Sequence, residues 1–191
     1  MKVNLYDFDK TIYYGDSSVN FYIYCLKKKP IIFIYLFEFI IYYLLYKLNI
    51  NTKEKAKEKI FKYVTKFDNI DKLIEEFWKI NINKIKDYYK DKDHSNDIII
   101  SASPEFLLKL ICNKLQVKDL IASPIDKHTG LYHGKNCYGI EKVKRLKEKY
   151  KNIEVIEAYS DSLSDIPMLS LANTSYLVKK NKIIEYKNIG K

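Results

Sequence analysis

Asp7 and Asp9 stand two residues apart where the apolar run Lys2-Val-Asn-Leu-Tyr6 gives way to Asp7-Phe8-Asp9-Lys10-Thr11. On an extended backbone, residues i and i+2 point to the same side. Both carboxylates would then share one small volume, where each raises the cost of ionising the other. A cation between them, or a proton on one, relieves that repulsion, and both conditions suit a phosphate-processing site with a bound divalent ion. The same stretch also reads as a strand ending in a turn, where Asp and Thr favour local hydrogen bonds. The rest of the chain has to separate these readings.

The elements that must position such a site follow in order. Asp16 or Ser17 can cap a helix over Val19 to Lys28, and Pro30 opens an almost wholly apolar and aromatic run from Ile31 to Leu48. That run is long enough to be a membrane-span candidate, but it carries Glu38, Lys47 and several Tyr, and no second span accompanies it. It is expected as a buried or interfacial helix. Amphipathic helices are expected over Asn51 to Lys66 and Asp71 to Tyr89, the second through the spacing of Leu73, Ile74, Phe77 and Trp78. From Asp97 the pattern becomes alternating strand and helix. Strands are expected at Asp97–Ile100, Leu120–Ser123, Ile153–Ala158 and Ser175–Val178. Helices are expected from Pro104 to Leu115, with Ser103 as N-cap, from Gly139 to Tyr150, and over Ile166–Leu171. Such alternation implies a parallel sheet with helices on both faces, which binds ligands at the carboxyl ends of its strands. Asp7 and Asp9, Ser101, and Asp161 with Asp165 fall at those ends, and Lys142 falls at a helix start.

Composition bounds the partners. The formal charge is +10, which invites a nucleic-acid or anionic-membrane reading. Yet Arg145 is the only Arg, and Arg is the preferred residue for bidentate phosphate and base readout. Lys, Ile, Asn and Tyr are also what a coding bias toward A and T enriches. No nucleic-acid partner is therefore expected. Cys25, Cys112 and Cys137 form no C-x-x-C pair, so neither a disulfide framework nor a zinc site is indicated. His94, His128 and His133 lack ligand spacing. No leader pattern is evident at the N-terminus. A reducing, cytoplasmic setting is expected, with peripheral membrane contact through the 31–48 helix as an option.

Four motifs in order carry a family resemblance. D-F-D-K-T at Asp7–Thr11, I-I-I-S-A-S at Ile98–Ser103, G-I-E-K at Gly139–Lys142 and S-D-S-L-S-D-I-P-M-L at Ser160–Leu169 resemble the motifs of the haloacid dehalogenase superfamily. The likeness is to its subclass IB, the phosphoserine phosphatase-like phosphohydrolases. One departure is Ser160, where that family usually has Gly. The resemblance implies a Rossmann-like three-layer α/β core (residues 1–12 and 97–191) with an all-helical cap inserted between the first two motifs (13–96). It also implies a Mg²⁺-dependent phosphomonoesterase working through an aspartyl-phosphate. Asp7 would be the nucleophile and Asp9 the general acid and base. Asp7, the Asp9 carbonyl and Asp161 would hold Mg²⁺. Lys142 would offset phosphoryl charge, and Ser101 and Ala102 would bind phosphate. Thr11, Ser162 and Asp165 would support the loops, and Asp16 would select the substrate.

The substrate implied by the resemblance is a small-molecule phosphomonoester, and its identity would rest on the cap. Phosphoserine phosphatases use a cap Arg for the substrate carboxylate, and this cap has none. The apolar 31–48 helix suggests instead a bulkier or lipid-like phosphomonoester, as in phosphatidylglycerophosphate phosphatases that resemble this subclass, and phosphoserine and the lipid-like substrate both stay open. The reading from another class is a non-catalytic basic protein that binds nucleic acid or anionic membrane on the same fold. Salt-dependent polyanion binding without turnover would mark it.

Overall fold

The computed structural model describes residues 1–186. Six strands form one sheet in the order β3-β2-β1-β4-β5-β6. They are β1 (Lys2–Tyr6), β2 (Asp97–Pro104), β3 (Asp119–Ser123), β4 (Glu154–Ser160), β5 (Ala172–Lys179) and β6 (Lys182–Glu185). The first five run parallel, and β6 pairs antiparallel with β5. Central parallel strands are covered on both faces, so they read as continuous apolar runs. Val3, Leu5, Ile98 and Ile100 face one buried cluster, and Tyr6, Phe8 and Ile99 face the other. This is the α/β three-layer arrangement expected from the alternating pattern.

Helices α1 (Ser17–Lys28), α2 (Ile34–Lys47), α3 (Lys53–Phe61), α4 (Ile70–Asn81) and α5 (Asp87–Lys90) lie between β1 and β2 in the chain. Helices α6 (Glu105–Lys114), α7 (Ile140–Lys149) and α8 (Ile166–Leu169) connect the later strands. An aromatic triad ties the inserted helices to the turn after β1. Phe8, Tyr13 and Trp78 are fully buried, with ring centroids 5.5 to 5.9 Å apart, and Trp78 Nε1 donates to the Leu107 carbonyl at 2.7 Å. Each such aromatic pair adds about 0.5–1.5 kcal/mol beyond burial, so the turn bearing Asp9 is held by α4 and α6 together. A second link is Gly130. With φ at +76°, it lies so close to the Phe61 carbonyl that a Cβ would sit 2.5 Å from that oxygen.

Several elements differ from the sequence expectations. The segment from Asp71 to Tyr89 is not one helix. Asn81 folds its side chain back onto the Phe77 carbonyl, and Ile85 turns extended to bridge Tyr13. The Asn51–Lys66 helix stops at Phe61 and tightens into a 3₁₀ turn. Ser103 does not cap α6, because β2 continues through Pro104 and the Ser103 hydroxyl turns toward Asp9. The final strand is longer than expected, and β6 follows it.

The apolar 31–48 run forms a 3₁₀ turn (Pro30–Phe33) and α2, but the run is not buried, contrary to one of the two expectations. Only Ile32 and Tyr35 within it are buried. Pro30–Lys47 is long and apolar enough to cross a membrane by length and composition.

Candidate active site

Strand order explains why the acidic residues meet. From β1 the chain builds β2 and β3 on one side, then crosses to place β4 on the other, so a crevice opens above β1 and β4 where the winding direction switches. Asp7 follows the last residue of β1, and its N–H donates to the Tyr159 carbonyl of β4 at 2.9 Å. Tyr6 pairs with Tyr159 in register, so the next residues, Asp7 and the Ser160-Asp161 pair, emerge side by side. Ser101 lies near the end of β2, on the other flank of β1.

Lys142 is buried between two carboxylates. Its Nζ lies 2.7 Å from Asp7 Oδ1 and 2.6 Å from Asp165 Oδ2. Burial alone would push its pKa down, but Asp7 and Asp165 pull harder and hold it above the usual lysine value. Burial raises the Asp7 carboxyl, against the pull of Lys142. The lysine lies in the first turn of α7, whose N-cap Gly139 has φ +56°, a conformation that suits glycine.

Thr11 joins the first motif to the fourth. Its hydroxyl donates to Asp7 Oδ2 at 3.1 Å while accepting from the Asp161 N–H at 2.9 Å. It is fully buried, behind the wall of the cleft. Ser160 donates to Asp165 Oδ2 and accepts from the Ser162 N–H, while the Ser162 hydroxyl accepts from Ser164 N–H. These bonds fix the loop that carries Asp161.

Asp9 faces a hydroxyl cluster. Its Oδ1 accepts from the Ser17 N–H at 2.6 Å and its Oδ2 is hydrogen-bonded to the Ser103 hydroxyl at 2.5 Å. Burial, with Asp16 next, raises its pKa to about 7 despite those bonds. Asp16 caps α1 through the Val19 N–H and lines the same cleft. Ser101 Oγ accepts from the Ser103 N–H. The Ala102 carbonyl receives Ser123 Oγ and Lys57 Nζ.

These side chains line one cleft of about 510 Å³. It holds nine of the ten residues singled out from the sequence, with Thr11 behind it. Sequence reasoning missed Ser103, which looked like a helix cap, and Lys57, one lysine among many in a basic helix. Its reach across to the Ala102 carbonyl and Asn136 Oδ1 has no sequence signal. Apolar residues of the inserted helices, among them Val19, Leu36, Phe39 and Ile60, close the far side.

Among the described residues, no three His, Cys, Asp or Glu side chains are grouped to hold a metal by themselves. Mg²⁺, however, is usually held by one or two carboxylates and keeps several waters. Asp161 fits that demand. Burial, then Asp7, raises its carboxyl to about 6, and among the described residues that carboxylate accepts no hydrogen bond. A half-buried carboxylate beside a second one is stabilised by a cation.

The mostly parallel sheet thus carries an acidic cleft with a buried lysine at its switch point. The family model for haloacid dehalogenase-like hydrolases matches residues 5–170, and the chain belongs to that family. Among curated proteins, none matches the chain. Solved structures share the fold. A Bordetella pertussis Tohama I protein described as of unknown function is 18% identical, with TM-score 0.73, over 91% of this chain and 88% of that one. A phosphoserine phosphohydrolase-like protein from Francisella tularensis is 18% identical, with TM-score 0.57, over 92% and 86%. A phosphoserine phosphatase solved as a phospho-aspartyl intermediate analogue is 18% identical, with TM-score 0.53, over 91% and 84%.

Proposed function

We propose that the protein is a Mg²⁺-dependent phosphomonoester hydrolase that works through an aspartyl-phosphate on Asp7. In this reading residues 1–12 and 97–191 form the catalytic core and 13–96 the cap. The observation that carries it is the convergence of Asp7, Asp161 and Lys142 at the carboxyl ends of adjacent strands. Asp7 attacks phosphorus, and the bond from phosphorus to the leaving oxygen breaks. Asp9 gives its proton to that oxygen, which its raised pKa allows near neutrality. It then takes a proton from the water that releases phosphate and frees Asp7. Lys142 offsets the charge on the phosphoryl oxygens. The Ser101 hydroxyl donates to phosphate, and the Ala102 segment shapes that pocket. Mg²⁺, held by Asp7, Asp161 and the Asp9 carbonyl, would supply further charge neutralisation and orientation. Thr11, Ser162 and Asp165 keep these groups in register.

The cap's contribution favours an apolar leaving group over phosphoserine. Asp16 remains the group placed to select substrate, but one of its oxygens is committed to capping α1. The cap's far wall is largely apolar, and its cationic contribution to the cleft is Lys57 among the described residues. A lysine is a poor substitute for the bidentate recognition that arginine gives a carboxylate.

The test is turnover of a generic aryl phosphate by purified protein with Mg²⁺. Loss of turnover is expected on chelation and in Asp7→Asn, with the circular dichroism spectrum unchanged. A panel of phosphoserine, sugar phosphates and lysophosphatidate then ranks substrates. Failure to release phosphate from any member would overturn the reading.

A further inference from the structure

We propose that α2 is a docking face for an anionic bilayer, and that it delivers a phosphomonoester with a hydrocarbon tail to the catalytic cleft. The delivery half rests on the phosphatase reading above; the docking half does not. The first observation is the spacing of exposed side chains. Phe33, Ile34, Phe37, Ile40, Ile41, Leu44 and Leu48 are all exposed, and steps of three and four place them on one stripe. A stripe of this size on a soluble protein marks an interaction site.

The second observation is what lies on the other side of the helix. Leu36 and Phe39, on the inner face, line the cleft that holds Asp7 and Lys142. The surface that would meet hydrocarbon is therefore continuous with the wall of the site. A lipid phosphate could bring its headgroup to Lys142 while its chains stay against α2.

The third observation is charge, which selects the occupant. Exposed Lys27, Lys28 and Lys29 lead into the segment and exposed Lys47 ends it. Glu38 is the only acidic residue in the run 31–48. Exposed lysines at both ends of an apolar stripe match an anionic interface, where lysine side chains sit at headgroup level. A second copy of the chain would bring the same +10 charge to the contact. The helix lies in the plane of the interface and does not cross it. Although Pro30–Lys47 is long and apolar enough to span a bilayer, insertion would strip Leu36 and Phe39 from the cleft wall they form. The inner side of α2 is also packed on α3, whose lysines could not enter hydrocarbon.

The experiment is vesicle flotation of the full chain, comparing phosphatidylcholine vesicles with vesicles half phosphatidylglycerol. The wild type and Asp7→Asn should both float with the anionic vesicles. The double variant Phe37→Glu/Ile41→Glu changes two exposed positions outside the cleft. It should lose vesicle partitioning on the order of a hundredfold and keep wild-type hydrolysis of a soluble aryl phosphate. Its hydrolysis of phosphatidate in the same vesicles should fall with its binding. Docking is overturned if the wild type floats with neither vesicle, or if the double variant floats equally well. It is also overturned if the wild type is a dimer that the double variant dissociates while neither floats. If aryl phosphate is hydrolysed but vesicle phosphatidate is not, the delivery half fails and docking stands on flotation alone. If no phosphomonoester at all is hydrolysed, the phosphatase reading fails and flotation still decides docking.

Discussion

Ser160 donates its hydroxyl to Asp165 Oδ2 at 2.8 Å, a bond that the glycine usual at this position in the family could not make. Asp165 in turn holds Lys142. The serine thus adds a donor to the carboxylate that positions the buried cation. Ser160→Gly should keep turnover within a few-fold and lose about 1–2 kcal/mol of stability, read by urea denaturation. A variant as stable as wild type would show that the bond contributes nothing net.

Lys142 is compensated on both sides by carboxylates, and removing it leaves Asp7 and Asp165 facing each other. Lys142→Met should cost about 3–5 kcal/mol and abolish turnover. Adding Asp165→Asn to that variant should recover part of the stability but none of the activity. Equal stability of the single and double variants would refute the charge argument.

Stability of the metal-free protein should fall as pH rises. Asp9 and Asp161 are raised in the folded state to about 7 and about 6, above the ordinary carboxylate value of about 3.9. From about pH 4 to about pH 7 the native state therefore keeps protons that the unfolded chain has released, and unfolding becomes easier as pH rises through that window. Mg²⁺ should offset the loss, raising the melting temperature more at pH 8 than at pH 5.5, and Asp161→Asn should blunt that gain. Calorimetry across pH, with and without Mg²⁺, checks the sign. A metal-free melting temperature that climbs from pH 5 to pH 7 would contradict it.

Gly130 meets the Phe61 carbonyl with no room for a Cβ and holds φ at +76°. Gly130→Ala should cost about 1–3 kcal/mol by forcing that loop away from the 3₁₀ turn after α3. Because Lys57 and Ile60 of α3 line the cleft, a raised KM with a smaller change in kcat is expected. An unchanged KM would separate this contact from the site.

The local chemistry was legible from residue order alone. Asp7 and Asp9 end an apolar run, Lys142 opens a helix after a glycine, and Asp161 and Asp165 follow a strand. Strand and helix alternation also fixed the parallel sheet, because apolar runs of four to six residues between amphipathic segments have few other uses. The role of Ser103 was not legible. A serine before Pro-Glu is a natural helix cap by local rules, and only the continuation of β2 to Pro104 turns its hydroxyl to Asp9. The break of the 71–89 helix was equally hidden, since the bridge between Ile85 and Tyr13 lies far apart in sequence. The apolar character of 31–48 was plain, but its exposure was not, because periodicity reports which residues share a face and not what lies opposite. Sequence by itself determined which functional groups exist and at what strand ends they stand. Tertiary structure alone decided which of them touch, because the crossover from β3 to β4 brings residues about 150 positions apart to the carboxyl ends of the two central strands, and no local rule carries information over that distance.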